Sequence, residues 1–314
     1  MILVALLASP ASGLRSIVRI TDAASRRPVV LIGTMHYNPA SIAAVTSTVK
    51  DIAASRGGLH ATAIELCPAR WNTTMAKQWN RTYSLRRLMA EDEFQVAFEV
   101  ATDCGLSDVV LADQSIEVTG KRLGAALLQT CVDLLSGPAG WRRVQDDLLQ
   151  FVRQLPTFAT AAADVGLLAG MPLAMVRYIY QSPAALPFLA ISTSTLFFAA
   201  AVDEATGAMP AWEDGVFTFL LTIVLGRAVF VSLIDERNDV LARNIRDACM
   251  QAPEARIAPV ADADVGLAID DAIDARSADA DAASEDPTAT VIAVVGMAHL
   301  AGVRDALLRD GYDI

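Results

Sequence analysis

Val29-Val30-Leu31-Ile32-Gly33-Thr34-Met35-His36 and Ile292-Ala293-Val294-Val295-Gly296-Met297-Ala298-His299 follow one plan: an apolar run, a glycine, two residues, a histidine. Each run is continuous rather than alternating, as in a strand covered on both faces within a parallel sheet. Glycine permits the sharp turn where a strand ends. The histidine then projects from the carboxyl edge of the sheet, where α/β folds bind ligands. A lone histidine is more often a core or surface residue. The chain has only three, however, and two share this setting, which makes His36 and His299 candidates for one site. His60 lacks the setting and reads as ordinary.

Working outward, residues 16–20 form a second β-branched run, joined to 28–34 by the polar stretch 21–27, the pattern of a hairpin. A helix capped by Asn38 or Ser41 is predicted to run to about Ser55, followed by a strand over 62–66. A helix over 91–104 stops at Gly105, and 109–112 is a further strand. Residues 121–250 read as almost entirely helical, with breaks at 137–140, Pro156, Pro172, Pro183 and Pro187. Residues 291–295 return to a buried strand before a closing helix over 302–310. The fold expected is α/β: a sheet with Gly-x-x-His motifs at strand carboxyl ends and a large, mostly helical middle insertion.

Composition sets further bounds. The net charge is -11, and 251–290 alone holds ten acidic and two basic residues, so this acidic stretch reads as a flexible loop. The acidic balance argues against a nucleic-acid partner. The four cysteines form no Cys-x-x-Cys pair and read as buried thiols of a reducing compartment. Residues 1–13 are apolar without a basic start, a possible targeting remnant. Two stretches, 184–202 and 215–234, are apolar enough to raise membrane attachment; Ser192–Thr195 weaken the first, and Arg227 interrupts the second. Buried helices and a membrane hairpin both fit, so a membrane-associated and a soluble cytoplasmic chain stay open.

Several carboxylates and cations accompany the histidines. Glu65 lies near the end of the apolar run Ala63-Ile64-Glu65-Leu66 and needs a partner if buried, either Arg70 in a salt bridge or a site beside the histidines. There it serves as metal ligand or general base. Asp113 ends the next strand in the same way. In Asp235-Glu236-Arg237-Asn238-Asp239, Glu236 and Arg237 offer a second carboxylate and an anion or carbonyl clamp, while Asp239 and Arg243 pair on a wet face. No His-Glu-x-x-His, Gly-x-Ser-x-Gly, phosphate loop or dinucleotide fingerprint occurs, which disfavours zincin proteases, serine esterases, nucleotide hydrolases and common dehydrogenases.

Five blocks in order, Gly33–His36 with Ser41, 64–70, 113–119, 235–238 and 296–302, resemble the TraB/PrgY family. The resemblance implies one TraB-type domain over 14–314, with the fold of Tiki-like metalloproteases and, more remotely, erythromycin esterases. It implies His36, Glu65 and His299 as core site residues, with Arg70, Glu236, Arg237 and Asn238 in support. Gln114 stands where the family usually has Arg. The resulting expectation is a metal-dependent hydrolase, foremost a peptidase acting on a peptide or protein. His36, Glu65 and His299 bind Zn, Mn or Co, and Arg237 or Arg70 steadies the oxyanion. The alternatives are a metal-free His/Glu esterase-like enzyme with His36 as base, and a membrane-associated regulatory or adaptor protein that keeps the fold without catalysis.

Overall fold

In the computed structural model, residues 16–78, 89, 91–106, 109–181, 212–250 and 289–309 are described. The predicted stretch 184–202, residues 1–13 and all but the end of 251–290 lie outside them. Five strands form one mixed sheet: β1 Ile17–Thr21, β2 Pro28–Thr34, β3 Leu59–Ile64, β4 Val109–Leu111 and β5 Thr290–Gly296, in the order β1-β2-β5-β3-β4. The hairpin expected at the start is present, with β1 antiparallel to β2, and the remaining pairs are parallel. β3 begins three residues earlier than predicted and stops at Ile64, so Glu65 stands just beyond the strand.

The continuous apolar runs are explained by burial on both faces. Val29, Leu31, Val291 and Ala293 point into one core layer, with Leu241, Ile245 and Val303. Val30, Ile32, Ile292 and Val294 point into the other, with Val45, Val49 and Phe94. Burying each such aliphatic side chain contributes roughly 1.5–3 kcal/mol. The first layer is roofed by α8 (Glu236–Met250) and α9 (Leu300–Leu308), the second by α1 (Pro39–Ala53) and α3 (Glu93–Asp103). The side chain of Asn38 caps α1 by accepting from Ala40 N–H, as one of the two predicted caps.

Register then decides where the edge residues fall. Thr34 pairs with Gly296, Ile64 with Val294 and Leu111 with Ile64, so the four parallel strands end together. His36, Glu65, Asp113 and His299 each lie one to three residues past those ends.

The described residues between β4 and residue 229 are mostly helical, in α4 (Ile116–Leu135), α5 (Pro138–Ala162), α6 (Val165–Gln181) and α7 (Trp212–Val229). The short α2 (Pro68–Gln78) follows β3. Two predicted breaks are corrected: α5 runs through Pro156, and α6 runs through Pro172. A proline costs a helix one N–H bond and some crowding, and around Pro172 the burial of Leu167, Gly170 and Ala174 offsets that loss. The break at Gly137 is real, with φ 73 at that glycine. The apolar stretch 215–234 is α7 followed by a π-helical turn, Phe230–Asp235, leading straight into α8. Among the described residues, no helix is long and apolar enough to cross a membrane.

Candidate functional site

The carboxyl edge gathers both histidines and Glu65 around Gly296. A Cβ placed on that glycine stands 3.2 Å from Glu65 Oε2, 3.6 Å from His36 Nε2 and 3.7 Å from His299 Cδ2. Three groups drawn from positions 36, 65 and 299 thus face one small volume, which a larger residue at 296 would fill.

Each imidazole is oriented by a partner on Nδ1. His299 Nδ1 lies 2.8 Å from Asn238 Oδ1; an amide oxygen only accepts, so Nδ1–H donates and Nε2 is the bare nitrogen. His36 Nδ1 donates to Glu93 Oε1 at 2.5 Å. The other Glu93 oxygen accepts from the Tyr37 N–H at 3.0 Å. Tyr37 holds φ 61, an uncommon conformation for a non-glycine residue, and its carbonyl accepts from Arg177 at 3.1 Å. Glu93 and Arg177 therefore pin, from two helices, the strained turn that delivers His36.

Glu65 is buried and fully engaged. Its Oε1 accepts from Arg237 at 2.5 Å, and its Oε2 accepts from the Gly296 N–H at 2.5 Å. His299 Nε2 lies 3.3 Å from Oε1. Arg237 also grips Asp113 with two bonds, at 3.0 and 2.8 Å, and Arg70 reaches Asp113 more loosely at 3.4 Å. The partner of Glu65 is thus Arg237, not the Arg70 expected from proximity in sequence.

These contacts set the charge states. Burial acts to lower the pKa of His36, but the charge and hydrogen bond of Glu93 outweigh it and raise it to about 9. Burial drives His299 below the ordinary imidazole range, with Glu65 opposing and Arg237 reinforcing the shift. For Glu65, burial favours the protonated acid, but His299, Arg237, His36 and the Gly296 N–H hold it below the usual carboxylate range. Besides His299, the Arg237 and His36 charges and the Gly296 amide favour the ionised form of Glu65. The resting centre is a cationic His36, a neutral His299 and a carboxylate between charges.

A cleft of about 480 Å³ opens on this edge. Its wall includes His36, Tyr37, Arg70, Asp92, Glu93 and Tyr178, while Glu65 and His299 do not line it. Asp92 caps α3, and burial together with the charge of Glu93 pushes its pKa up to about 7.

The structure therefore brings His36, Glu65, His299, Arg237, Asn238 and Asp113 together, with Arg70 at the margin. Glu236 is not among them: it faces outward and pairs with Arg122 at 3.2 Å, because one helical step from Arg237 turns it away from the sheet. Asp239 pairs with Arg309 at 3.3 Å. Glu93, Tyr37 and Arg177 were not expected. Glu93 had a sequence signal: it shares the helical stripe of Val96, Ala97 and Val100, and a carboxylate on an apolar stripe needs a partner.

A bound divalent ion is the remaining expectation. Both oxygens of Glu65 are taken, one by a guanidinium and one by an amide N–H, and Arg237 already matches its charge. Among the described residues, no group of three or more His, Cys, Asp or Glu is placed to hold a metal ion. The ligand set His36, Glu65 and His299 is assembled in space but does not fit a metal as arranged. Arg237 already supplies the positive charge that Glu65 and Asp113 would offer a dication.

No protein-family model, curated protein or solved structure matches the chain.

Proposed function

We infer that the chain is a hydrolase that opens an ester or amide carbonyl, the peptide bond included, using His36 and His299 as an acid–base pair without a metal. The observation that carries this reading is the meeting of two oppositely tuned imidazoles over Gly296, beside a cleft that reaches His36. Groups whose surroundings push their pKa values apart divide the acid and base roles between them. This narrows the hydrolase expected from the TraB/PrgY resemblance and replaces its metal with proton transfer.

The roles follow from the atoms. His299 Nε2, bare and neutral, takes a proton from water as that water attacks the carbonyl carbon. Glu65 Oε1, 3.3 Å from that nitrogen, stabilises the imidazolium as it forms. Arg237 and the Gly296 N–H keep Glu65 ionised for this purpose. His36, cationic and fixed by Glu93, aims Nε2–H at the oxygen that gains charge and then passes the proton to the leaving group. This assignment makes His36 the acid, where the metal-free alternative read from sequence had it as the base.

The test is hydrolysis of a panel of nitrophenyl esters and fluorogenic peptides by the purified chain, beside His36→Ala and His299→Ala. Loss of roughly 10²–10⁴-fold in both variants is expected. Full activity in either variant rejects the reading. Activity abolished by a chelator and restored by Zn rejects its metal-free form.

A further inference from the structure

We propose that α6 is a docking surface for an uncharged lipid bilayer, lying on the membrane rather than across it. The outer side of this helix is a stripe of Val165, Leu168, Met171, Met175 and Tyr178, from 79 % exposed at Val165 to 42 % at Met171. Their spacing of three and four places them on one face. The only charged residue of α6, Arg177, is 2 % exposed and turned inward to the Tyr37 carbonyl and Glu91. The stripe thus carries no charge along its length. An exposed helical face without one charged side chain is anomalous, since such faces are normally polar.

The chemistry of the stripe favours lipid over a protein partner. Protein interfaces surround an apolar centre with a polar, often charged rim. Between Val165 and Tyr180 the outer half of α6 supplies no such rim, and the first amide side chain is Gln181. Two half-exposed tyrosines, Tyr178 and Tyr180, stand at its carboxyl end, the residue type that settles at the boundary between headgroups and acyl chains. The sequence continues in the same character: no charged side chain occurs from Tyr178 to Val202. From residue 220 on, α7, the next described helix, has the same character, its two acidic residues, Glu213 and Asp214, standing at its start. Leu221, Leu225 and Val229 are exposed at a spacing of four, while Arg227 is buried against Asp133 and Asp147. Both helices turn their arginine inward and leave apolar atoms outside.

Tyr178 and Gln181 also line the cleft. A bilayer under α6 therefore meets the mouth of that cleft, and substrates carrying an acyl chain or a membrane-embedded segment reach it without crossing water.

The experiment is flotation of the full-length chain with phosphatidylcholine vesicles, which present no net charge. The wild-type chain is expected to float with the vesicles, undiminished by high salt because the contact is apolar. The double variant Leu168→Lys/Met175→Lys is expected to lose roughly tenfold or more in partitioning. Leu308→Lys, at a half-exposed residue on α9, is expected to retain it. Thermal melts confirm that the variants are folded, and Val165→Lys, at the most exposed position of the stripe, serves if the double variant is not. A wild-type chain that stays with the protein-only fraction overturns the proposal. So does equal flotation of wild type and variant, or a dimer that the double variant splits while vesicles bind neither. No arm reads hydrolysis, so failure here is separate from failure of the catalytic reading.

Discussion

At the scale of single residues, the centre is governed by what touches each ring. Because Glu93 holds His36 near pKa 9, its acid form is present at neutral pH and is lost as pH rises through about 9. The base form of His299 is gained as pH rises through a value below the ordinary imidazole range. Hydrolysis is therefore expected to plateau from mildly acidic pH to about 9 and fall beyond it, and the alkaline fall is expected to disappear from the residual activity of His36→Gln. A rate profile from pH 5 to 10.5 checks both statements. Glu93→Gln removes the charge that raises His36, so its alkaline limb is expected to move to lower pH. Gly296→Ala sets a methyl group 3.2 Å from Glu65 and into the space the rings face. Turnover is expected to fall at least tenfold while the melting temperature changes little, because φ at Gly296 is -59, open to any residue. Much of this centre was legible beforehand: His36 and His299 stood at strand ends in a repeated context, and Glu65 stood near the end of an apolar run. Glu93 was not read, because its meaning depends on which helical face meets the sheet, and the acidic run Glu91-Asp92-Glu93 looks like an ordinary helix start.

At the scale of elements, the site depends on close helix approaches. α9 crosses α8 at Gly302, where a Cβ would collide with the Asn238 amide, the group that orients His299. Gly302→Ala is expected to destabilise the fold by about 1–3 kcal/mol and to lower activity further by displacing Asn238. Denaturant titration together with rates measured well below the unfolding midpoint separates the two effects. α6 approaches the amino end of α1 in the same way, with Gly170 against Asn38, whose side-chain amide donates to the Leu167 carbonyl at 2.8 Å. Pattern reading found these helices but mistook Pro156 and Pro172 for breaks. A proline's cost is local, whereas the packing that offsets it comes from chain segments far away in sequence. The π turn Phe230–Asp235 was equally hidden; it ends two residues before Arg237, whose guanidinium reaches Glu65.

At the scale of the whole molecule, the fold class followed from two features: continuous apolar runs alternating with helices, and a late strand with the same character as an early one. Strand order did not follow, since periodicity says which faces are buried and not which strands are neighbours. With Glu65 and Asp113 already paired to Arg237, purified chain is expected to contain less than one equivalent of Zn, Mn or Co and to keep its rate in a chelator; elemental analysis and assay with and without the chelator decide this. The order itself has a consequence for how the molecule is made. β2 and β3 are not neighbours in the sheet; each pairs with β5, which comes after the other four described strands in the chain. Until residue 296 has left the ribosome, the early strands are two separate ribbons with open edges, exposed to mispairing for the time it takes to translate the insertion. Nascent chains stalled before residue 290 should therefore be protease-sensitive and chaperone-bound, and those released beyond 309 resistant.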